Sequence, residues 1–307
     1  MTHRLIRMAL SLFALVVPAV ARGQAGMDTV QITAQKLSDR VYVLFGSGGN
    51  IGLSIGDDGA FIVDDQFAPL SDRIKAAIAK LTPKPVRFVV NTHWHGDHVG
   101  GNELMGQAGA VIVAHENVRK RMSVEQAMMR GGQVTKTPAS PHMALPVLTF
   151  TQDVTLHLNG DSIYVVHVPP AHTDGDAIIF YQKANVIHMG DTFFNGRYPF
   201  IDTSTGGTID GIITAADRAL AMSNATTQFI PGHGVVATRA DLQAYRDAMS
   251  QIRARILKSV LAGKSAKQVL AEKPTAKWDD TWGKGFINGE SLTQTVYDDL
   301  KARGVKH

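Results

Sequence analysis

"VVNTHWHGDHVGGN", residues 89–102, places three histidines and an aspartate within six positions, directly after an apolar run. The side chains are His93, His95, Asp97 and His98. In extended chain, side chains at i and i+2 point the same way. His93 and His95 can therefore grip one cation together. Asp97 and His98 follow Gly96, where the chain turns, and they point elsewhere. One ion is awkward for all four groups, so the spacing favours two neighbouring ions.

Each ion then needs ligands from farther along the chain. Three candidates stand at the ends of apolar strands: His172 in "VHVPPAHTDGD", Asp191 in "NVIHMGD" and His233 in "FIPGHG". All three lie next to Gly, Pro or Thr in tight loops, where scaffolds present functional groups.

Working outward, "VQITAQ", "RVYVLFG", "NIGLSIG" and "AFIVDD" read as successive strands over 30–64. Gly48-Gly49-Asn50 and Asp57-Asp58-Gly59 supply turns between them. Ser71 is placed to cap a helix with Ile74, Ile78 and Leu81 on one face. "VRFVV" (86–90) then delivers the chain into the histidines, and "AVIVAH" (110–115) reads as another buried strand. Residues 118–146 read as a short helix bearing Met122, Met128 and Met129, followed by a long Gly- and Pro-rich loop. Strands resume at "VLTF", "VTLHL", "SIYVVHV", "AIIFYQ" and "NVIHMG". A helix is expected at about 209–223, then a short strand "TQFI" entering the His233 loop. The two stretches parallel each other, which suggests two sheets packed face to face with helices outside. Residues 239–307 read as helical, with Leu242, Tyr245, Met249, Ile252, Ile256 and Val260 on one stripe. Gly263 stops that helix, and Ser265 with Gln268 offers a capping box for the next.

Apolar residues make up 44% and charged residues 19% of the 307, an ordinary balance for a soluble globular chain. Residues 1–25 stand apart. Arg4 and Arg7 precede an apolar core, and Ala19-Val20-Ala21 or Gly23-Gln24-Ala25 offers a cleavage site. That is the layout of a secretory signal peptide, so a periplasmic or secreted protein is expected, with no stable membrane span after cleavage. Of 31 basic residues against 27 acidic, this segment holds three arginines and no acid. The remainder is nearly neutral and carries no basic cluster with interleaved aromatics, which excludes nucleic acid as an expected partner. A small-molecule substrate is expected instead. There is no cysteine, which excludes disulfides and thiolate ligands.

The pieces "THWHGDH", "AHT", "GDTFF" and "PGHG", in that order, resemble the metallo-β-lactamase-fold hydrolase superfamily. With Asp64 at a strand end they cover about residues 30–235. The resemblance implies a four-layer αββα sandwich over 26–238, with a helical extension at 239–307. It implies that His93, His95 and His172 hold a first metal and that Asp97, His98 and His233 hold a second. Asp191 resembles the bridging carboxylate of the glyoxalase II-like branch; many true β-lactamases have Cys or Ser there. Asp64 resembles the acid that supports the histidine loop. Zinc suits this imidazole and carboxylate set, and iron or manganese also suit it. The implied chemistry is attack by a hydroxide held between two metals, oriented by Asp97, on an ester, thioester, lactone or lactam. The rivals are a β-lactamase proper, a glyoxalase II-type thioesterase, an iron-dependent sulfur dioxygenase and a non-catalytic metal-binding accessory protein. Retention of His98 and His233 speaks against the mononuclear oxygenase.

Arg197 and Tyr198 in "FFNGRYPF", and Asn50 on a hairpin turn, are candidate substrate contacts. His115, His157, His167 and His188 lie in or beside strands and read as packed or surface-facing. Met128 and Met129 read as core before pocket lining.

Overall fold

The computed structural model describes residues 26–130 and 133–304, so the expected leader at 1–25 lies outside the described residues. Seven strands form the first sheet in the order β1-β2-β3-β4-β5-β6-β9. They are β1 (Thr33–Lys36), β2 (Val41–Phe45), β3 (Ile51–Gly56), β4 (Gly59–Val63), β5 (Val86–Val90), β6 (Val111–His115) and β9 (Leu148–Phe150). The second sheet runs β10 (Asp153–Leu158), β11 (Asp161–His167), β12 (Ala177–Tyr181), β13 (Val186–His188) and β14 (Gln228–Ile230). Each sheet starts as an antiparallel meander and ends in parallel pairing, β4 with β5 in the first and β13 with β14 in the second.

Alternation along the strands divides the core. Phe61 and Val63 of β4 turn towards the second sheet and meet Ile163, Val165, Ile179 and Tyr181. Ala60 and Ile62 face outward onto Ile74 and Ile78 of α1 (Ser71–Ala79). The outer face of the second sheet carries α5 (Ile209–Met222) and α6 (Arg239–Leu261), with Ile212, Ala216, Leu242, Met249 and Ile252 buried against Ile178 and Ile187. This is the expected αββα sandwich. Each fully buried Ile, Leu or Val contributes about 1.5–3 kcal/mol, so these three apolar layers carry most of the fold.

The C-terminal helices continue the outermost layer. After α6 come α7 (Ala266–Ala271), α8 (Ala276–Trp282) and α9 (Gly289–Ala302). Leu292, Val296 and Leu300 of α9 join the same apolar cluster as α5 and α6. Thr238 and Asp241 form a capping box at the start of α6, and Gln268 accepts the Ser265 backbone N–H at 2.8 Å. Among the described residues no helix is long and apolar enough to cross a membrane.

Three local expectations need correction. Ser71 is buried inside the first turn of α1, and Leu70, ending a 3-10 turn, occupies the capping position. The short helix expected in 118–146 is present as α4 (Glu116–Met122), following α2 (Gly96–Val99) and α3 (Asn102–Gln107), but part of the expected loop is an antiparallel hairpin of β7 (Gln126–Arg130) and β8 (Gln133–Thr137). Met128 and Met129 lie on β7, and Met128 packs with Trp94, Val118 and Met122. Lastly, α8 goes unnamed in the sequence because none of its seven residues is fully buried, only Trp278 and Trp282 packing partly against the core, so it carries no strong periodic signal.

Tyr198 fastens α8 to the sandwich. Its hydroxyl donates to Asp279 Oδ1 at 2.8 Å, with the Thr275 carbonyl 3.1 Å away. Tyr198→Phe leaves those acceptors without their donor. The expected loss is about 1–2 kcal/mol of unfolding free energy, read by urea denaturation; an unchanged midpoint would contradict the contact.

Candidate metal centre

The strand directions explain why distant loops meet. β4 and β5 are parallel neighbours, and their C-terminal ends carry Asp64 and the His93–His98 segment. β13 and β14 are parallel neighbours in the facing sheet, and their ends carry Asp191 and His233. β11 runs in the same sense, two antiparallel steps away, and leads to His172. All seven donors therefore emerge at one rim of the sandwich.

There the structure brings them together in overlapping groups. His93, His95 and His172 offer nitrogens within 4.8 Å of one another; Asp97, His98 and His233 offer a carboxylate oxygen and two nitrogens equally close, while Asp191 groups with His93 and His98. Asp191 Oδ2 lies 3.5 Å from His172 Nε2 and 3.9 Å from His93 Nε2. Its Oδ1 lies 3.1 Å from His98 Nε2 and 3.5 Å from His233 Nε2. One carboxylate thus reaches into both sets. Asp97 Oδ2 is 3.3 Å from His233 Nε2 and 3.7 Å from His98 Nε2.

The second nitrogen of each buried imidazole decides which atom faces inward. His93 Nδ1 lies 3.0 Å from Thr92 Oγ1, which itself donates to Asp64. His98 Nδ1 lies 2.7 Å from Asp64 Oδ2. His172 Nδ1 lies 2.7 Å from the Phe200 carbonyl, and His95 Nε2 lies 3.0 Å from Asp202 Oδ2. In a ring that carries a single proton, such an acceptor takes the outer N–H and leaves a lone pair on the inward nitrogen. His95 Nδ1 and His172 Nε2 then face each other at 2.7 Å. Two lone pairs at that distance repel unless a proton or a cation lies between them. His93 Nε2, His98 Nε2 and Asp191 Oδ1 are buried with no hydrogen-bond partner. Buried polar atoms are rarely left so. The donor set fits a pair of divalent cations: three nitrogens with Asp191 on one side, and two nitrogens with Asp97 and Asp191 on the other.

Electrostatics agree with a site built for positive charge. Burial would raise the Asp97 carboxyl, yet His98 and His233 hold it down at about 2. Burial also opposes ionised Asp191, but His98, His233 and His172 keep it well below the usual carboxylate range. His172 is pushed down to about 4, chiefly by burial. Burial works against charge on His233, but Asp191 and Asp97 raise it to about 9. Protons on imidazoles thus balance the carboxylates, and cation uptake must displace them.

Asp64 holds the histidine segment in place. It accepts from the Thr92 backbone N–H at 2.8 Å and the Thr92 hydroxyl at 2.7 Å, as well as facing His98. Its φ of 63° is uncommon for an aspartate, and such backbone is kept where surrounding contacts demand it. The turn before β3 crosses directly over the cluster. A Cβ on Gly49 would strike the His98 ring, and one on Gly232 would strike Asp191 Oδ1. Only glycine permits these approaches.

Two of the candidate substrate residues are engaged by the fold itself. Asn50 spends its side-chain amide on the carbonyls of Pro231 (2.9 Å) and Gly234 (2.8 Å), tying the turn to the His233 loop. Tyr198 points into the core towards α8, away from the rim. Arg197 is exposed and lies beside Gly285. His188 is buried, with Nε2 3.0 Å from the Asn50 carbonyl, while His115 and His167 stack at 3.8 Å. His157 is exposed.

Two acids go unnamed in the sequence reading. Asp202 orients His95 and is itself held by Ser204 and Thr205. Asp176 accepts from the His172 and Thr173 backbone N–H groups and from the Thr173 hydroxyl, fixing the His172 turn. In sequence, "HTDGD" and "IDTST" carry only turn and capping signals.

The family model of the metallo-beta-lactamase superfamily matches residues 45–249. The chain belongs to this superfamily. Over 166 residues it is 27% identical to the hydroxyacylglutathione hydrolase of Nitrosococcus oceani, covering 54% of this chain and 55% of that protein. The chain thus spans about half the length of that relative. It is 22% identical over 222 residues to the metallo-beta-lactamase type 2 of Bacteroides fragilis, covering 67% and 80%. Among solved structures, a metallo-beta-lactamase from Pontibacter korlensis superposes with a TM-score of 0.60 at 17% identity, over 72% of this chain and 99% of that one. The sec-alkylsulfatase Pisa1 from Pseudomonas sp. gives 0.64 at 18% identity, over 92% of this chain and 52% of that one. At such identities the structural likenesses speak for the fold.

Two measurements follow. Asp202→Asn and Asp64→Asn are each expected to weaken zinc binding by about 10–100-fold, read by chelator competition; unchanged affinity would contradict the orienting contacts. Adding zinc at about a hundred times its dissociation constant is expected to stabilise the chain by roughly 2.7 kcal/mol per site. A thermal midpoint indifferent to zinc and to chelator would contradict the site.

Proposed function

We propose that this chain is an exported hydrolase that holds two divalent cations, preferably zinc, and cleaves an ester, thioester, lactone or lactam in a small molecule. The observation that carries this reading is the meeting of His93, His95, His172, Asp97, His98, His233 and Asp191 at one rim, where His93 Nε2, His98 Nε2 and Asp191 Oδ1 are buried without a hydrogen-bond partner. When bound, a cation pair supplies Lewis acidity towards a carbonyl and lowers the pKa of water towards neutrality. Export rests on the charged, apolar and small-residue pattern of residues 1–25.

The chain's own groups divide the remaining work. His93, His95, His98 and His172 are sealed from solvent, so their ring orientations are fixed before substrate arrives. Asp191 joins the two donor sets. Asp97 and His233 are the accessible members, a quarter and a fifth exposed at the side chain, and they stand at the mouth. There Asp97 Oδ2 accepts a hydrogen bond from the attacking water and orients it. No serine or cysteine nucleophile is required.

The similarity to hydroxyacylglutathione hydrolases and the carboxylate at Asp191 favour a thioester or oxoester over a lactam. A sulfate ester is the second reading. The alignment with the sec-alkylsulfatase favours it by reaching 92% of the chain, and so extending into the C-terminal helices.

The zinc-loaded protein should be tried on nitrocefin, a glutathione thioester, a lactone, an aryl ester and a secondary alkyl sulfate. Turnover of at least one carbonyl substrate is expected. His95→Ala and Asp97→Ala should abolish it while circular dichroism stays unchanged. Full activity in either variant would overturn the mechanism.

A further inference from the structure

The loop between α8 and α9 reaches the rim of the metal centre. Phe286 at its tip is 74% exposed. Its ring meets Phe200 edge-on, with centroids 6.0 Å apart and planes at 79°. Phe200 in turn lies against the two imidazoles of the first donor set, 5.9 Å from His95 and 5.7 Å from His172. The Phe200 carbonyl also accepts from His172. A ring from the C-terminal extension is thus one aromatic contact away from two candidate ligands.

Lone exposed apolar side chains are common on protein surfaces. Phe286 differs because the loop around it is held. Trp282 and Ile287, on either side, pack against the core. The Trp282 carbonyl accepts the Tyr198 backbone N–H at 3.3 Å. Asn288 caps α9 by accepting from the Ser291 N–H at 2.8 Å. Gly285 lies against the Arg197 side chain. Both flanks point inward while Phe286 points outward, so fold geometry holds the ring in water. A second large apolar side chain, Val235, is 70% exposed two residues after His233. The floor of the site is polar and charged, while these nearby side chains are apolar.

We propose that Phe286 and Phe200 form an apolar subsite that sets specificity, seating a long alkyl or aryl acyl group of the substrate. This rests on the hydrolase reading above. The paired rings cover such a group, while the reacting bond lies over the seven donors. Phe286 touches no reacting atom; it selects which substrates gain by binding. A short polar acyl group gains nothing from it, because it cannot reach the rings.

The test compares 4-nitrophenyl octanoate with 4-nitrophenyl acetate on the zinc-loaded full chain. It also compares the binding of octanoate and acetate by calorimetry, which needs no turnover. Variants are Phe286→Ser, Phe286→Leu and, as a control at an exposed site beside β9, Val147→Ser. The wild type should prefer the octanoyl ester and octanoate. Phe286→Ser should cut both preferences by about tenfold, the scale at which apolar pockets discriminate. The loss should fall on KM, with Phe286→Leu restoring most of it and Val147→Ser matching the wild type. A wild type without chain-length preference, or one equal in Phe286→Ser, overturns the subsite while leaving the hydrolase reading intact. If the wild type cleaves neither ester and binds neither carboxylate, the subsite is overturned too, and the hydrolase reading is decided separately by the wider substrate panel above.

Discussion

Two imidazole nitrogens, His95 Nδ1 and His172 Nε2, face each other at 2.7 Å, and much of the structure follows from making that contact tenable. Asp202 and the Phe200 carbonyl take the outer N–H of each ring, so the inner atoms present electron pairs. Imidazoles crowded in this way, far from solvent, are costly on their own. They become favourable around positive charge. Asp191, with one oxygen towards each donor set, extends the same requirement across the whole cluster.

The sandwich meets this requirement by topology. Parallel pairing at one edge of each meander sends several strand ends to the same rim, so loops far apart in sequence become neighbours. The packed layers beneath are apolar and rigid, which lets short loops hold their side chains without adding secondary structure. Rigidity then passes outward through named contacts. Asp64 grips Thr92 and His98, Asp176 closes the His172 turn, and Asn50 ties the crossing turn to the His233 loop. The C-terminal helices share the outer core of the second sheet, and through the contact of Phe286 with Phe200 they reach the same rim.

The seven donors were legible in the sequence because their chemistry is local. Histidine and aspartate at i, i+2, i+4 and i+5 after an apolar strand have few other uses, and the remaining three stand at strand ends beside Gly or Pro. The layered fold was legible from strand and helix periods. Asp202 and Asp176 were not: Asp202 orients a ring 107 residues away and Asp176 closes a turn four residues back, and in sequence both look the same as turn formers. Asn50 and Tyr198 misled for a related reason. Polar groups near a candidate site suggest substrate, but tertiary packing had already engaged both. The β7–β8 hairpin did carry a signal. Gly131-Gly132 separates two five-residue runs, a common hairpin pattern, but the prolines that follow favoured a loop reading. Phe286 is invisible to any local pattern, since its place at the rim depends on how α8 and α9 dock.

Anomalous diffraction from crystals of the zinc-loaded protein tests the central claim most directly. The account expects two peaks, one among His93, His95 and His172, the other among Asp97, His98 and His233, with Asp191 between them. Loaded crystals with no peak at this rim, or with these side chains turned away from a metal bound elsewhere, would contradict it.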